Sequence, residues 1–199
     1  MSAPFVSDLT AAPAGGRVAW VANVKGARNI WVARPGTHEP AQQITSYTED
    51  DGEEISDLAW TADGAWLAYT RGGDAEWPDD ASPNPAHLTS GVKQEVWLIS
   101  AGGRAPQDIG EGHGAAISAA GETIAYLQHG QIWTASLKDA SAKPQPLKAM
   151  RGQQRDLRWS ADGGSLAFVS DRGDHSFIAV YDFAKRELLF LDPGTTKDG

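Results

Sequence analysis

The 199-residue chain contains no cysteine. Disulfide bonds, thiolate metal sites and a cysteine nucleophile are therefore excluded. No uninterrupted apolar stretch reaches the length of about 18 residues that spans a bilayer, so no membrane insertion is expected. Basic residues are scarce, with 17 Lys and Arg against 26 Asp and Glu and a formal net charge of -9. Because phosphate binding requires a basic patch, this balance argues against a nucleic-acid partner.

A phrase of about twelve residues recurs four times along the chain. Residues 58–69 (LAWTADGAWLAY) and 157–168 (LRWSADGGSLAF) align without a gap, and residues 9–20 and 116–126 keep the Gly and the ending of an apolar residue, Ala and an aromatic. Each copy is typical of a strand, a Gly-containing turn and a second strand. The copies recur at intervals of roughly 40 to 60 residues, which suits the four-stranded blades of a propeller.

Two further runs typical of strands follow each copy. The third runs, rich in β-branched and aromatic residues, are 29–33, 95–100, 131–135 and 177–181. The fourth runs, shorter and more polar as edge strands are, are 42–45, 107–109, 145–147 and 188–191. We therefore predict an all-β fold, a β-propeller of four four-stranded antiparallel blades. The predicted blades span approximately 5–47, 54–110, 111–149 and 152–193 of a single partial propeller domain, 1–199.

The repeated polar and aromatic residues have structural interpretations. The pairs Asp63-Gly64 and Asp162-Gly163 suit tight hairpin turns, because Gly adopts positive φ freely and the Asp side chain caps nearby amides. Trp31, Trp97 and Trp133 recur at one place in the repeat, so we interpret them as residues that pack within the blades. A platform that stacks bases or sugars is the alternative.

Longer stretches of the chain resemble a known family. These are residues 2–9 (SAPFVSDL), 28–33 (RNIWVA), 44–55 (ITSYTEDDGEEI) and 168–178 (FVSDRGDHSFI). They resemble the N-terminal propeller of bacterial prolyl oligopeptidase family serine peptidases, which include the dipeptidyl-peptidase and acylaminoacyl-peptidase types. The Trp-Ser-Ala-Asp-Gly turn is also similar to the WD-like turns of TolB propellers. The resemblance covers nearly the whole chain, and it implies a seven- or eight-bladed ring followed by an α/β-hydrolase domain.

The chain has no room for that hydrolase domain. The nucleophile elbow Gly-x-Ser-x-Gly is missing, since the nearest approach, residues 163–167 (GGSLA), lacks the final Gly. Ser165 is therefore expected to be a turn or strand residue. We assign no catalytic residue, no cofactor and no metal, and we expect the chain alone to hydrolyse nothing.

The resemblance implies a function beside a neighbouring catalytic domain. The propeller would gate or orient peptide substrates for the hydrolase domain of a parent serine peptidase, so its partners would be the peptide and that domain. The alternative is a stand-alone TolB-like scaffold that binds proteins. Residues 1–5 lack the basic and apolar segments typical of a signal peptide. The resemblance implies a periplasmic or secreted parent, whose signal would already have been removed, with a cytoplasmic location left open.

An acidic link between the first two predicted blades supplies the first candidate site residues. Residues 49–54 (EDDGEE) place five carboxylates in six positions. In terms of the family resemblance, Asp50, Asp51, Glu53 and Glu54 would bind the free amino terminus of a peptide, because carboxylates form charge-assisted hydrogen bonds with ammonium groups. A calcium site and a solvated charged loop are the alternatives.

Three further candidates lie in turns on the same predicted face. Arg71 and Arg172 each adjoin a Gly, and a guanidinium there could hold a substrate carbonyl or carboxylate. Ordinary surface charge is the alternative for both. His175 follows Arg172 in the stretch that carries the resemblance, and it lacks the paired spacing of a zinc site.

The ends of the array and one insertion complete the sequence-based expectations. A four-blade arc cut from a larger ring would expose two blade faces and self-associate through its open blade edges, whereas the alternative is a small propeller closed on itself. The insertion 73–91 contains three prolines and no strand pattern, so we expect an exposed loop there, with Trp77 on the propeller rim.

Overall fold

The structure is a computed structural model that describes residues 4–73, 92–139 and 141–191. Within these ranges the chain forms strands and turns and no helix. The strands are β1 (Phe5–Ala11), β2 (Val18–Val24), β3 (Ala27–Ala33), β4 (Gln42–Gln43), β5 (Ile55–Trp60), β6 (Trp66–Arg71), β7 (Glu95–Ser100), β8 (Gln107–Glu111), β9 (His113–Ile117), β10 (Thr123–Gln128), β11 (Gln131–Ser136), β12 (Gln145–Pro146), β13 (Gln153–Trp159), β14 (Ser165–Asp171), β15 (Ser176–Asp182) and β16 (Glu187–Leu191).

The strands form four separate antiparallel sheets, each a meander of four strands taken in chain order. This arrangement confirms the all-β fold with four four-stranded blades. The outermost strands β4 and β12 are only two residues long. Pro146 ends β12, and proline cannot donate a hydrogen bond to a further strand. The insertion 74–91, with Trp77, lies outside the described residues. The described part of the chain contains no helix able to cross a membrane.

The hairpin turns follow the sequence prediction. Asp63 accepts hydrogen bonds from Thr61 Oγ1 (2.6 Å) and from the Ala65 amide (2.9 Å), while Gly64 has a φ of 66°. These hydrogen bonds lower the pKa of Asp63 below its ordinary value. Asp162 accepts the equivalent hydrogen bonds from Ser160 and Gly164. Ser165 is the first residue of β14, as expected for a residue of this hairpin.

Three hydrophobic cores lie between consecutive blades. One joins blades one and two, the second joins blades two and three, and the third joins blades three and four. Each blade thus has a leading face toward the preceding blade and a trailing face toward the following one. The alanine of the repeated phrase lies on the trailing face, where Ala19, Ala68 and Ala125 are each 0% exposed. A side chain this small lets the next blade approach closely, which explains why the repeat retains alanine.

The predicted packing role of the repeated tryptophans holds where two blades meet. Trp97 packs against the core between blades one and two, and Trp133 packs against the core between blades two and three. Trp97 and Trp133 are only partly buried, as is Trp31, which pairs with Trp20 across β2 and β3. Trp31 belongs to none of the three cores, because no described blade packs on the leading face of blade one.

Each innermost strand carries a two-residue β-bulge. Its first residue has a left-handed backbone, with φ of 55° at Asp8, 55° at Asp57, 61° at Gly114 and 59° at Asp156. Asp and Gly tolerate this conformation better than most residues do. The second residue of the bulge points toward the preceding blade, as Leu157 does in the core between blades three and four.

The aspartates of the bulges link one blade to the next. Asp57 Oδ2 accepts a hydrogen bond from the amide of Gly114 (2.9 Å) and another from Thr70 Oγ1 (2.9 Å). The backbone amide of Asp57 lies near the Asp8 carboxylate and opposes the rise in its pKa that burial causes. These contacts run in one direction, from the earlier blade to the later one, and they stop at blade three, where Gly114 replaces the aspartate.

The four blades form an open arc. The innermost strands pack in the order β1 on β5, β5 on β9 and β9 on β13, and no comparable contact among the described residues joins β13 back to β1. Large apolar side chains are exposed at both ends, among them Phe5 and Leu9 (74% each) in blade one and Leu189 (60%) in blade four. The described blades therefore do not close on themselves.

Candidate functional site

The acidic link lies beside the β2–β3 and β6–β7 turns, where blades one and two meet. Gly26, in the β2–β3 turn, has a φ of 90°, and a Cβ placed on it would lie 2.0 Å from Asp50 Cγ. Asp50 therefore packs directly over the backbone of Gly26. This close approach needs glycine both for its positive φ and for its missing side chain.

Arg71 is the centre of a second contact with the link. Its guanidinium forms a salt bridge with Asp51, and its Cζ atom lies 4.2 Å from the centre of the Tyr47 ring. The Tyr47 hydroxyl is 2.9 Å from that of Tyr69, which is fully buried. Burial raises the pKa of Tyr69 well above its ordinary value of 10.0. Asp51 and Arg71 thus fasten the link to the core between the blades.

Glu53 is the buried carboxylate of the link, with 7% of the residue exposed. One of its oxygens accepts a hydrogen bond from the Gly73 amide (3.0 Å). Burial raises the pKa of Glu53 above its ordinary value of 4.5, although the Gly73 hydrogen bond and the charge of Arg71 oppose the rise. Glu53 thus holds the start of the β6–β7 segment in place.

Replacing Glu53 by glutamine should raise the free energy of unfolding at neutral pH and flatten its pH dependence. The folded chain retains a proton just above pH 4.5 that the unfolded chain has released, so the free energy of unfolding falls as pH rises through this window. Urea unfolding curves across that window measure the slope. Glu49→Gln, at an exposed position of the same link, is the matched control. An unchanged slope in Glu53→Gln would contradict the assignment.

Glu54 differs from its neighbours in the link, because it lines a cleft. The cleft has a volume of about 420 Å³ and lies between the innermost strands of blades one and two. Its polar lining residues are Ser7, Asp8, Asn23, Arg28, Glu54, Ser56 and Asp57. Burial raises the pKa of Asp8, and the nearby charges of Asp57 and Glu54 raise it further. The cleft therefore concentrates negative charge, which favours a cationic group.

Arg172 and His175 lie in the turn between β14 and β15 of blade four. The Arg172 guanidinium carbon lies 4.9 Å from the centre of the Phe177 ring and 5.1 Å from that of Phe190. His175 Nδ1 is 2.6 Å from Asp174 Oδ1, and the His175 ring meets Phe177 edge-on. Arg172 Nε is buried and has no hydrogen-bond partner in the described part of the chain.

The structure therefore divides the predicted site residues into two groups. Asp50, Asp51, Glu53, Glu54 and Arg71 lie together at the junction of blades one and two. Arg172 and His175 are in blade four, two blades further along the arc. No group of three or more His, Asp or Glu side chains that could hold a metal ion occurs among the described residues.

Sequence reasoning missed Asp8 and Asp57 of the cleft. The signal in the sequence was the dipeptide Asp-Leu, which occurs at positions 8–9, 57–58 and 156–157. In each case the Leu is the first residue of the repeated phrase and the Asp precedes it. Its recurrence at one place in three blades indicates a backbone position that requires positive φ. Such a residue on an innermost strand lies on the concave side of the arc.

Comparison with known proteins identifies the fold. No protein-family model matches the chain, and no curated protein sequence matches it. Among solved structures, TolB from Acinetobacter baumannii is similar with a TM-score of 0.64 and 16% identity, covering 96% of this chain and 44% of that chain. A structure from a study of two prolyl endopeptidases is similar with a TM-score of 0.67 and 12% identity, covering 97% of this chain and 30% of that chain.

Acylaminoacyl peptidase from Pyrococcus horikoshii is a further similar structure. Its TM-score is 0.54 at 16% identity, with 72% of this chain and 25% of that chain covered. At these identities the similarity establishes the fold alone, a β-propeller of the type found in TolB and in these peptidases. The chain spans less than half the length of each of these three structures.

Proposed function

We propose that the chain is a non-catalytic propeller segment of a serine peptidase, which orients peptide substrates for a hydrolase domain of the parent protein. The observation that carries the proposal is the acidic cleft at the junction of blades one and two. Asp8, Glu54 and Asp57 line the same cleft of about 420 Å³, so its lining carries three acidic residues against one basic residue, Arg28. Similarity to peptidase propellers provides the context in which such a cleft would hold substrate.

The cleft suits the free amino terminus of a peptide. An ammonium group among carboxylates forms charge-assisted hydrogen bonds, which are stronger than those between neutral groups. A bound ammonium would also relieve the repulsion that raises the pKa of Asp8. In this arrangement Glu54 contacts the substrate, whereas Asp50, Asp51, Glu53 and Arg71 hold the link that carries it.

The test is calorimetric titration with a tetrapeptide that has a free amino terminus and with its N-acetylated form. The free peptide should bind, and acetylation should abolish binding because the acetylated nitrogen carries no charge. Glu54→Gln should weaken binding of the free peptide about tenfold, the cost of one charged hydrogen bond. Glu49→Gln, on the same link but outside the cleft, should bind like the unaltered chain. Equal binding of the two peptides would refute the proposal.

A stand-alone scaffold of the TolB kind is the second candidate. The observation that favours it is the similarity to TolB over 96% of this chain. A scaffold would recognise folded surfaces or internal segments, so its binding would be indifferent to acetylation of a peptide terminus. The same titration therefore separates the two candidates. For either one we propose a periplasmic or secreted location, with the cytoplasm as the alternative.

A further inference from the structure

The exposed end of blade four is the trailing face of a blade without a following blade. In blade two the corresponding residues Ala68, Val96 and Leu98 are 0 to 5% exposed because blade three covers them. In blade four the same face stays open, with Ile178 at 47% and Leu189 at 60% exposure. Exposed contiguous apolar surface of this kind marks an interaction site.

Strand register makes this trailing face continuous. Val169, Ile178 and Leu191 lie in one row across β14, β15 and β16. Ala167, Val180 and Leu189 form the next row on the same side. Within β14, β15 and β16 neither row contains a charged side chain, whereas Arg155 and Arg158 of β13 continue the two rows at the inner edge of the face. Apolar side chains at positions that the internal blades bury against their neighbours are exposed to solvent on this face.

Blade one carries the complementary half of the same interface. Its leading face includes Leu9, which is 74% exposed, and the half-buried Trp20. In blade two the residues at these positions are Leu58 and the fully buried Tyr69, both packed in the core against blade one. A single chain therefore holds both halves of an interface that it already forms three times.

We propose that two copies of this chain pair head to tail. The trailing face of blade four in each copy packs on the leading face of blade one in the other, so the two arcs close into a ring of eight blades with twofold symmetry. The two contacting faces differ, and a heterologous interface closes into a ring only when the rotation that it imposes allows this. Four blades per copy supply half of an eight-bladed ring.

The aspartates of the β-bulges supply a hydrogen-bond acceptor at the proposed junction. Asp156 occupies the position in blade four that Asp57 occupies in blade two, and its side chain is 55% exposed. At an internal junction, Asp57 accepts a hydrogen bond from the bulge amide of the following blade, that of Gly114. In the proposed ring, Asp156 accepts from the amide of Asp8 in the second copy. The pairing concerns the four-blade chain by itself, and further blades of a longer parent ring would occupy the same two faces.

Sedimentation velocity across micromolar to submillimolar concentrations tests the proposal. The expected product is a closed dimer of twice the 21.2 kDa chain mass. Ile178→Asp on the trailing face and Leu9→Asp on the leading face should each give a monomer, because a charge would be buried at both junctions. Both positions are exposed in the arc, so folding should persist in circular dichroism. Ala149→Asp, exposed between blades three and four, is the matched control and should remain a dimer.

Mixing the two monomeric variants tests the head-to-tail arrangement. One intact junction can then form between an unaltered trailing face and an unaltered leading face, so a weaker heterodimer should appear only in the mixture. Leu189→Asp is measured in parallel with Ile178→Asp, which separates loss of the interface from loss of folding at one position. A monomer at every concentration, a dimer that survives Leu9→Asp, or a mixture without heterodimer would overturn the proposal.

Discussion

Replacing Leu157 by alanine is expected to lower the free energy of unfolding by about 3 kcal/mol, as buried Leu→Ala changes do. Leu157 is 2% exposed and belongs to the core between blades three and four. Leu9 stands at the same position of the repeat in blade one but is 74% exposed. The same change there should cost less than about 0.5 kcal/mol, because no preceding blade packs on Leu9.

Urea unfolding followed by tryptophan fluorescence measures both variants. Both are made in the Ile178→Asp background, in which a second copy is kept from the trailing face. The comparison is closely matched, since one substitution is made at one position of two repeats. A loss at Leu9 as large as that at Leu157 would mean that blade one is packed on its leading side, contrary to an open arc.

Replacing Asp57 by alanine is expected to cost about 2 to 3 kcal/mol. The change removes the acceptor of a part-buried hydrogen bond from Thr70 and of an exposed one from Gly114, each 2.9 Å long. A part-buried hydrogen bond to a charged group contributes about 1.5 kcal/mol, and the exposed one contributes less. The change also places alanine at a φ of 55°, which costs about 1 kcal/mol.

Asp156→Ala supplies the control, and the same denaturation experiment compares the two. Asp156 has a φ of 59°, so alanine meets the same backbone strain there. Among the described residues its carboxylate pairs with the exposed Arg155, a contact that contributes little. We expect a loss of about 1 kcal/mol for Asp156→Ala. Equal losses for the two variants would show that the bond from blade two to blade three contributes nothing.

Much of the blade architecture is predictable from the sequence. The run at 95–100 matches β7 residue for residue, and the other third strands differ from prediction by no more than two residues at either end. Such runs are predictable because their β-branched and aromatic residues recur beside Gly turns. The first strands are less predictable. For example, β1 begins at Phe5, four residues before the repeated phrase starts at Leu9. A bulge breaks the alternation of buried and exposed residues there, which hides the strand.

The candidate site is predictable only in part, because its contacts join residues far apart in the sequence. The run of carboxylates at 49–54 identifies an unusual acidic segment. The sequence alone does not predict that Asp51 pairs with Arg71 while Glu54 lines a cleft. Those roles follow from which turn each carboxylate meets. The glycines next to Arg71 and Arg172 suggested that the two arginines lie in equivalent turns. In the structure Arg71 is the last residue of β6, whereas Arg172 follows the end of β14 and packs against two phenylalanines.

The direction of the aspartate series has a consequence for how such a protein can change in evolution. The junctions after blades one and two join an aspartate in the earlier blade to a bulge amide in the later one, whereas blade three has Gly114 at this position and no acceptor. A duplicate of blade two inserted between blades two and three would therefore meet an acceptor on the earlier side and a donor on the later one. Blade number can therefore grow by a whole unit at this place without any new kind of junction.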